Sequence, residues 1–163
     1  MTENIEWVFK DRKFYTEKTS IKWSPKSLSF APQDKIGVYV VYTKHQNNDR
    51  VLYVGETGDS FYKRFMKHKE EGKGYFLAFQ LLAEKVEFHF LNENEYRERK
   101  LLESYLVLDL NPLLNKPRSK ENKGILDDLL QPFFQKGSYF GDLINLGAAD
   151  EEYIKALIKN GDL

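Results

Sequence analysis

Residues 51–68 read VLYVGETGDSFYKRFMKH. A short apolar strand runs into a Gly-rich turn, and the helix predicted next carries Lys63, Arg64, Lys67 and His68 in its first turns. Asp59 or Ser60 can N-cap that helix, and Phe61, Phe65 and Met66 form its inward stripe. Arg64 and His68 are four residues apart and share a face, with Lys63 and Lys67 in the neighbouring row. A basic helix face is ordinarily a solvated face. Beside a turn whose amides are freed by Gly55 and Gly58, the same face becomes a candidate for binding phosphate.

Upstream, KIGVYVVYT (35–43) has the β-branched and aromatic density of a strand, and RVLYVG (50–55) is a second. The polar KHQNND between them predicts an antiparallel hairpin. Strand alternation puts Gly37, Tyr39 and Val41 on one face and Val51, Tyr53 and Gly55 on one face of the partner. Tyr39 and Tyr53 then meet on one side of the sheet, either as ordinary β residues or as part of a site. Downstream, FLAFQLLAE (76–84) reads as a short helix and VEFHFL (86–91) as a third strand. Asn92 with Glu95 has the form of a capping box opening a long helix to about Asp109, and Pro112 follows where a helix stops. Further helices are predicted near 122–135 and 150–158, around a loop QKGSYFGD. The order of elements makes a small α/β domain of the α+β type, with a three-stranded antiparallel sheet flanked by helices.

The 163 residues suit one domain with extensions. With 25 basic and 25 acidic residues, the molecule as a whole is no polyanion glue, and contact with nucleic acid must come from local patches. Residues 1–35 carry +2, 36–118 carry +1, and 119–163 carry −3. Cysteine is absent, which excludes a disulfide frame, a thiolate zinc site and a cysteine nucleophile. Nothing in the amino-terminal residues has the apolar core of a signal peptide, and no run approaches a membrane span. The expectation is a cytoplasmic, intracellular protein with no membrane partner. Residues 1–35, with Trp7, Phe9, Phe14, Tyr15, Trp23 and Phe30, read as an aromatic N-terminal arm packed on a core. The arm's Lys10, Arg12, Lys13, Lys18, Lys22 and Lys26 join residues 63–69 as candidates for a basic footprint. Residues 36–117 form the central domain, and 118–163 an acidic helical C-terminal extension.

The long helix supplies an acid. Glu103 stands among Leu101, Leu102, Tyr105 and Leu106, where a core-facing helix would be apolar. A carboxylate bordering a buried stripe needs a basic side chain or a metal ion, and Arg99, one turn back, offers the plainer solution. Arg97, Arg99 and Lys100 read as an ordinary exposed segment.

Taken together, GVY at 37–39, YVG at 53–55, Arg64 with His68, Glu103, and NPLLN ending at Asn115 resemble the GIY-YIG nuclease superfamily over about residues 36–117. The resemblance implies a small three-stranded sheet and a metal-dependent endonuclease that hydrolyses DNA phosphodiester bonds, one strand per active site. The implied cofactor is one Mg2+ (or Mn2+) ion per site, and Glu103 matches its ligand. Arg64 matches the arginine on the scissile phosphate, while Tyr39 and Tyr53 match the motif tyrosines, one of which helps activate the attacking water. His68 matches a frequent active-site histidine. With a reference pKa of ~10, Tyr39 is a poor base unless the metal and Arg64 favour its phenolate, while His68, at ~6.5, could take the proton directly or relay it from Tyr39; Tyr39 is favoured as the residue touching water, with His68 as its helper. Asn115 matches the asparagine closing the motif, and Gly37 and Gly55 the motif glycines. Lys63, Lys67 and Asn115 are the candidate substrate-binding residues. Cutting two strands would take a homodimer or two binding events, and a recruiting protein partner would suit a chain without an evident separate DNA reader. Glu56 departs from the pattern, since relatives often carry Lys or Gln there. An acid beside the phosphate site must point away, pair with Arg64 or Lys63, or join the metal shell. It also favours the rival expectation, a non-catalytic nucleic-acid- or protein-binding module that retains the fold.

Overall fold

The structure, a computed structural model, describes residues 15–23, 31–71, 78–79, 81–91, 96–115 and 118–130, with the backbone alone for 15–17, 68–71 and 130. Four strands, β1 (Tyr15–Lys22), β2 (Gly37–His45), β3 (Asn48–Thr57) and β4 (Lys85–Leu91), form one antiparallel sheet in the order β1-β4-β2-β3. Three helices are described: α1 (Phe61–Glu71), α2 (Tyr96–Leu110) and α3 (Lys120–Leu130). The α+β class is as expected, but the sheet has four strands where three were expected. The additional strand, YTEKTSIK, is an edge strand paired only with β4, and its charged, weakly alternating sequence is what an exposed edge tolerates. No helix among the described residues is long and apolar enough to cross a membrane.

The sheet has a core on each face. Tyr39, Val41, Leu52, Val86, Phe88 and Phe90 pack with Phe61 and Phe65 of α1, Phe79 and Leu126 of α3 on one side. Val38, Val40, Val51 and Val54 pack with Leu102 and Leu106 of α2 on the other. Phe61 and Phe65 are fully buried, as their four-residue spacing predicts, each burial stabilising the fold by about 2 kcal/mol. Their rings meet the sheet in tilted and edge-on contacts, Phe61–Phe88 at 4.8 Å and Phe65–Tyr39 at 4.9 Å. Ala78, Phe79, Leu81 and Leu82 are helical, within the stretch expected as a short helix.

One expected face assignment fails. Val41 pairs with Tyr53 but Tyr42 with Val51, so Leu52 is an extra residue in β3. This bulge sends Val51 into the α2-side core, opposite Tyr53, although simple alternation puts the two on one face.

After α2 the chain reverses at Asn111, whose φ of 47° is the left-handed conformation of a helix C-cap, followed by Pro112. Residues 113–115 then run along the outer edge of β3. Leu113 and Leu114 donate their N–H groups to the carbonyls of Val51 (3.0 Å) and Leu52 (2.9 Å). The Asn115 side chain completes the edge: its Oδ1 accepts from Val54 N–H at 2.9 Å and its Nδ2 donates to Val54 C=O at 2.8 Å. An amide side chain thus mimics a neighbouring strand, which blunts an otherwise open edge. Asn115→Ala should lower the unfolding free energy by about 1–3 kcal/mol, because both backbone groups of Val54 lose a partner in a half-buried setting. Urea denaturation of the variant against wild type measures this.

Ser119 N-caps α3, its Oγ accepting from Asn122 N–H at 3.1 Å. Buried Asn122 in turn donates to Asn111 Oδ1 (3.1 Å) and Pro112 C=O (3.3 Å), tying α3 to the end of α2. The helix expected near 122–135 is α3, described only to Leu130. The capping box at 92–95, the loop QKGSYFGD and the helix expected over 150–158 lie outside the described residues.

Candidate active site

The site forms where the end of β3 passes between α1 and α2. Gly37 and Gly55 allow it. At Gly37, φ is +146° and a Cβ would run into the His89 carbonyl of β4, so only glycine lets β2 start against its neighbour. At Gly55, a Cβ would overlap the phenol of Tyr39, which lies across that position. The glycine therefore makes room for Tyr39 rather than for a turn. The rings of Tyr39 and Tyr53 are 6.1 Å apart, on one side of the sheet, as the hairpin register predicts.

The two tyrosines differ in access. Tyr39 has 0% of its surface exposed, enclosed by Phe61, Phe65 and Gly55, whereas Tyr53 is partly open. Sequence favours Tyr39 as the residue touching water, and its burial runs against that. The cause is sheet order: β2 is internal, between β4 and β3, while β3 is the outer strand. Burial raises the Tyr53 pKa, Glu103 and Glu56 raise it further, and Arg64 pulls it down, so Tyr53 is a phenol at neutral pH.

The turn into α1 does not present free amides. Thr57 Oγ1 accepts from Asp59 N–H (3.1 Å), Asp59 Oδ1 from Ser60 N–H (2.8 Å), and Ser60 Oγ from Lys63 N–H (3.1 Å), which makes Ser60 the N-cap. Phe61 and Tyr62 donate to the carbonyls of Lys35 (3.3 Å) and Pro32 (3.1 Å). The amides expected to bind phosphate are used inside the fold, and any phosphate binding falls to side chains. Lys63 is exposed and within 3.6 Å of Asp59, and Lys67 is exposed. Arg64 is partly buried and lies close enough to Tyr53 and Glu103 to shift both. His68 is in α1, but its side chain lies outside what the structure describes.

From α2 come three charged side chains. Glu56, the departure in the motif, neither faces away nor pairs with Arg64 or Lys63. Its Oε2 accepts from Arg99 Nε at 2.7 Å, and Lys100 Nζ lies 3.9 Å from its other oxygen. Arg99 is only 9% exposed, so the reading of residues 97–100 as a plain exposed segment is corrected at Arg99. Nor is Arg99 the partner of Glu103, whose Oε1 accepts from Lys100 Nζ at 3.1 Å. Tyr96 lies beneath both cations, 5.6 Å from the Arg99 guanidinium and 5.7 Å from Lys100 Nζ. Sequence reasoning missed Arg99 and Lys100. The i,i+3 spacing of Lys100 and Glu103 was a visible signal, but the 43-residue separation of Glu56 and Arg99 left none.

Burial raises the Glu103 pKa and Glu56 adds to the rise, while Lys100 and Arg64 oppose it. A carboxyl whose pKa is higher folded than unfolded binds more protons in the native state, so stability falls as pH rises through the interval between the two values. At neutral pH the ionised Glu103 is a net cost to the fold. Glu103→Gln, melted in the presence of EDTA, should therefore have a higher Tm than wild type at pH 7, and the gap should close as the pH falls into the carboxyl titration range.

Among the described residues, no three or more His, Asp or Glu side chains converge as a ready metal cage. The donors do fit a Mg2+-type ion. Glu103 and Glu56 turn oxygens towards one ammonium, at 3.1 and 3.9 Å, and hard oxygen donors from one or two carboxylates are what such an ion takes when water and phosphate complete its shell.

A family model, the GIY-YIG catalytic domain, matches residues 35–117, half of the chain. No curated protein and no solved structure matches it.

Proposed function

Because the chain belongs to the GIY-YIG catalytic-domain family, a family of nucleases acting on nucleic acid, we propose that it is a divalent-metal-dependent endonuclease that hydrolyses DNA phosphodiester bonds, one strand per active site. The observation that carries the proposal is that Tyr53 of β3, Arg64 of α1 and Glu103 of α2 lie near enough for Glu103 and Arg64 to shift the titration of Tyr53, and Arg64 that of Glu103.

Hydrolysis of a phosphodiester builds negative charge on the phosphoryl oxygens and the leaving oxygen. Arg64, permanently charged and planar, can hold two phosphoryl oxygens at once. Glu103 would hold a divalent ion, which would supply Lewis-acid stabilisation of the leaving oxygen. Tyr53, protonated at neutral pH and partly open, orients the attacking water or a phosphate oxygen by hydrogen bonding. Tyr39 acts behind it, fixing the Tyr53 ring from within the core. Lys63 and Lys67, on the exposed side of α1, meet the flanking backbone phosphates.

The acid that favours a non-catalytic module is neutralised inside the protein. Glu56 faces Arg99 and Lys100, so its charge is spent before it meets a phosphate. Incubation of supercoiled plasmid with purified protein and Mg2+ or Mn2+ tests the proposal: nicked circles should form with metal and not with EDTA. A folded protein that cuts neither plasmid nor branched DNA under any metal would point instead to the binding module.

A further inference from the structure

Among the described residues, the one hydrogen bond to the Glu103 carboxylate comes from the Lys100 ammonium, at 3.1 Å. The same ammonium stands 3.9 Å from Glu56 Oε1, and Glu56 is itself fixed through its other oxygen by Arg99 at 2.7 Å. Lys100 is therefore a cation between two carboxylates, one of which is anchored. Arg99 and Glu56 are nearly enclosed, whereas Lys100 keeps 40% of its side-chain surface exposed and can move along its flexible stem.

We propose that Lys100 is a positioning residue that occupies Glu103 in place of the divalent ion and hands the carboxylate over when the ion binds, with Glu56 receiving the displaced ammonium. This rests on the metal-dependent reading above. The exchange also gives the unusual Glu56 a role, because a rotation of Lys100 takes its ammonium from one carboxylate to the other without leaving either charge far from a counter-charge. Arg99 cannot make the exchange, because its fork is buried against Glu56. The exchange weakens metal binding to the free protein, since the ion competes with a tethered cation and meets its repulsion.

Mn2+ binding by the full chain without DNA, followed by the electron paramagnetic resonance of the free ion at pH 8, tests the exchange. Lys100→Met should bind Mn2+ roughly twofold to fivefold more tightly than wild type, in line with the modest worth of a half-exposed ion pair. Lys100→Arg, which keeps the charge, should bind with wild-type or weaker affinity. Glu103→Gln should bind least. Equal or weaker binding by a folded Lys100→Met, with binding still lost in Glu103→Gln, would overturn the exchange and leave the metal site standing. Should Lys100→Met not fold, Lys100→Gln is read in its place. Wild-type binding by Glu103→Gln would remove the metal site itself, and the exchange with it.

Discussion

Arg64→Ala should slow DNA cleavage by about a hundredfold or more at saturating metal, with the protein still folded. Removal of one preorganised donor from a developing oxyanion typically costs about 3 kcal/mol of transition-state stabilisation, which corresponds to that factor. Arg64 is held in place by its helix: Ser60 caps the first turn, and Phe61, one turn before it, and Phe65 bury the adjoining side against the sheet. Its charge reaches both Tyr53 and Glu103, lowering each pKa against the effect of burial. A lysine at this position would restore the charge but not the planar fork, so Arg64→Lys should recover only a small part of the rate. Single-turnover cleavage, with melting curves of each variant, separates the chemical loss from any loss of fold.

Gly37→Ala has the largest effect expected on stability, a loss of about 2–6 kcal/mol. Two penalties meet at one residue. A φ of +146° is open to glycine and costly for any residue with a Cβ, at about 1–3 kcal/mol. The added methyl would also collide with the His89 backbone carbonyl, which cannot rotate away as a flexible side chain could, and overpacking of this kind adds about 1–3 kcal/mol. Relief would require β2 and β4 to separate at the register pair Gly37–Phe90, next to the buried His89. Denaturant unfolding measures the loss, and a variant within about 1 kcal/mol of wild type, close to the usual span of harmless surface changes, would mean the strand start tolerates a side chain.

The sheet was legible where side-chain preference and neighbours agree. β2, β3 and β4 are dense in Val, Tyr and Phe, and the polar hairpin fixed the pairing of β2 with β3, so the meeting of Tyr39 with Tyr53 followed from register alone. β1 escaped because an edge strand has one partner and can carry Glu17, Lys18 and Lys22 without an apolar signal. The bulge at Leu52 escaped because an inserted residue leaves the composition of a strand unchanged while shifting one end to the other face. On α2, apolar residues outnumber the buried positions: Leu108 is 85% exposed and Leu101 also faces outward, so counting leucines could not orient Glu103.

Within the site, sequence identified residue types better than their surroundings. The burial of Tyr39 depends on the strand order, and the pairing of Glu56 depends on a helix residue 43 positions away. Two of the amides expected to be open at the start of α1, those of Phe61 and Tyr62, are closed by a loop, 32–35, whose approach has no local sequence mark. What these contacts share is long range in the chain, and together they leave side chains, not backbone amides, as the candidates to meet a phosphate.

The rate of metal-dependent strand scission by wild type and by Glu103→Gln, on one labelled DNA duplex and with both proteins shown to be folded, is the measurement to make. A ligand for the ion and no other role for Glu103 predicts a loss of about a hundredfold or more in Glu103→Gln, at a Tm equal to or above that of wild type. Equal rates in the two proteins would contradict a catalytic Glu103, and with it the assignment of this cluster as the active site.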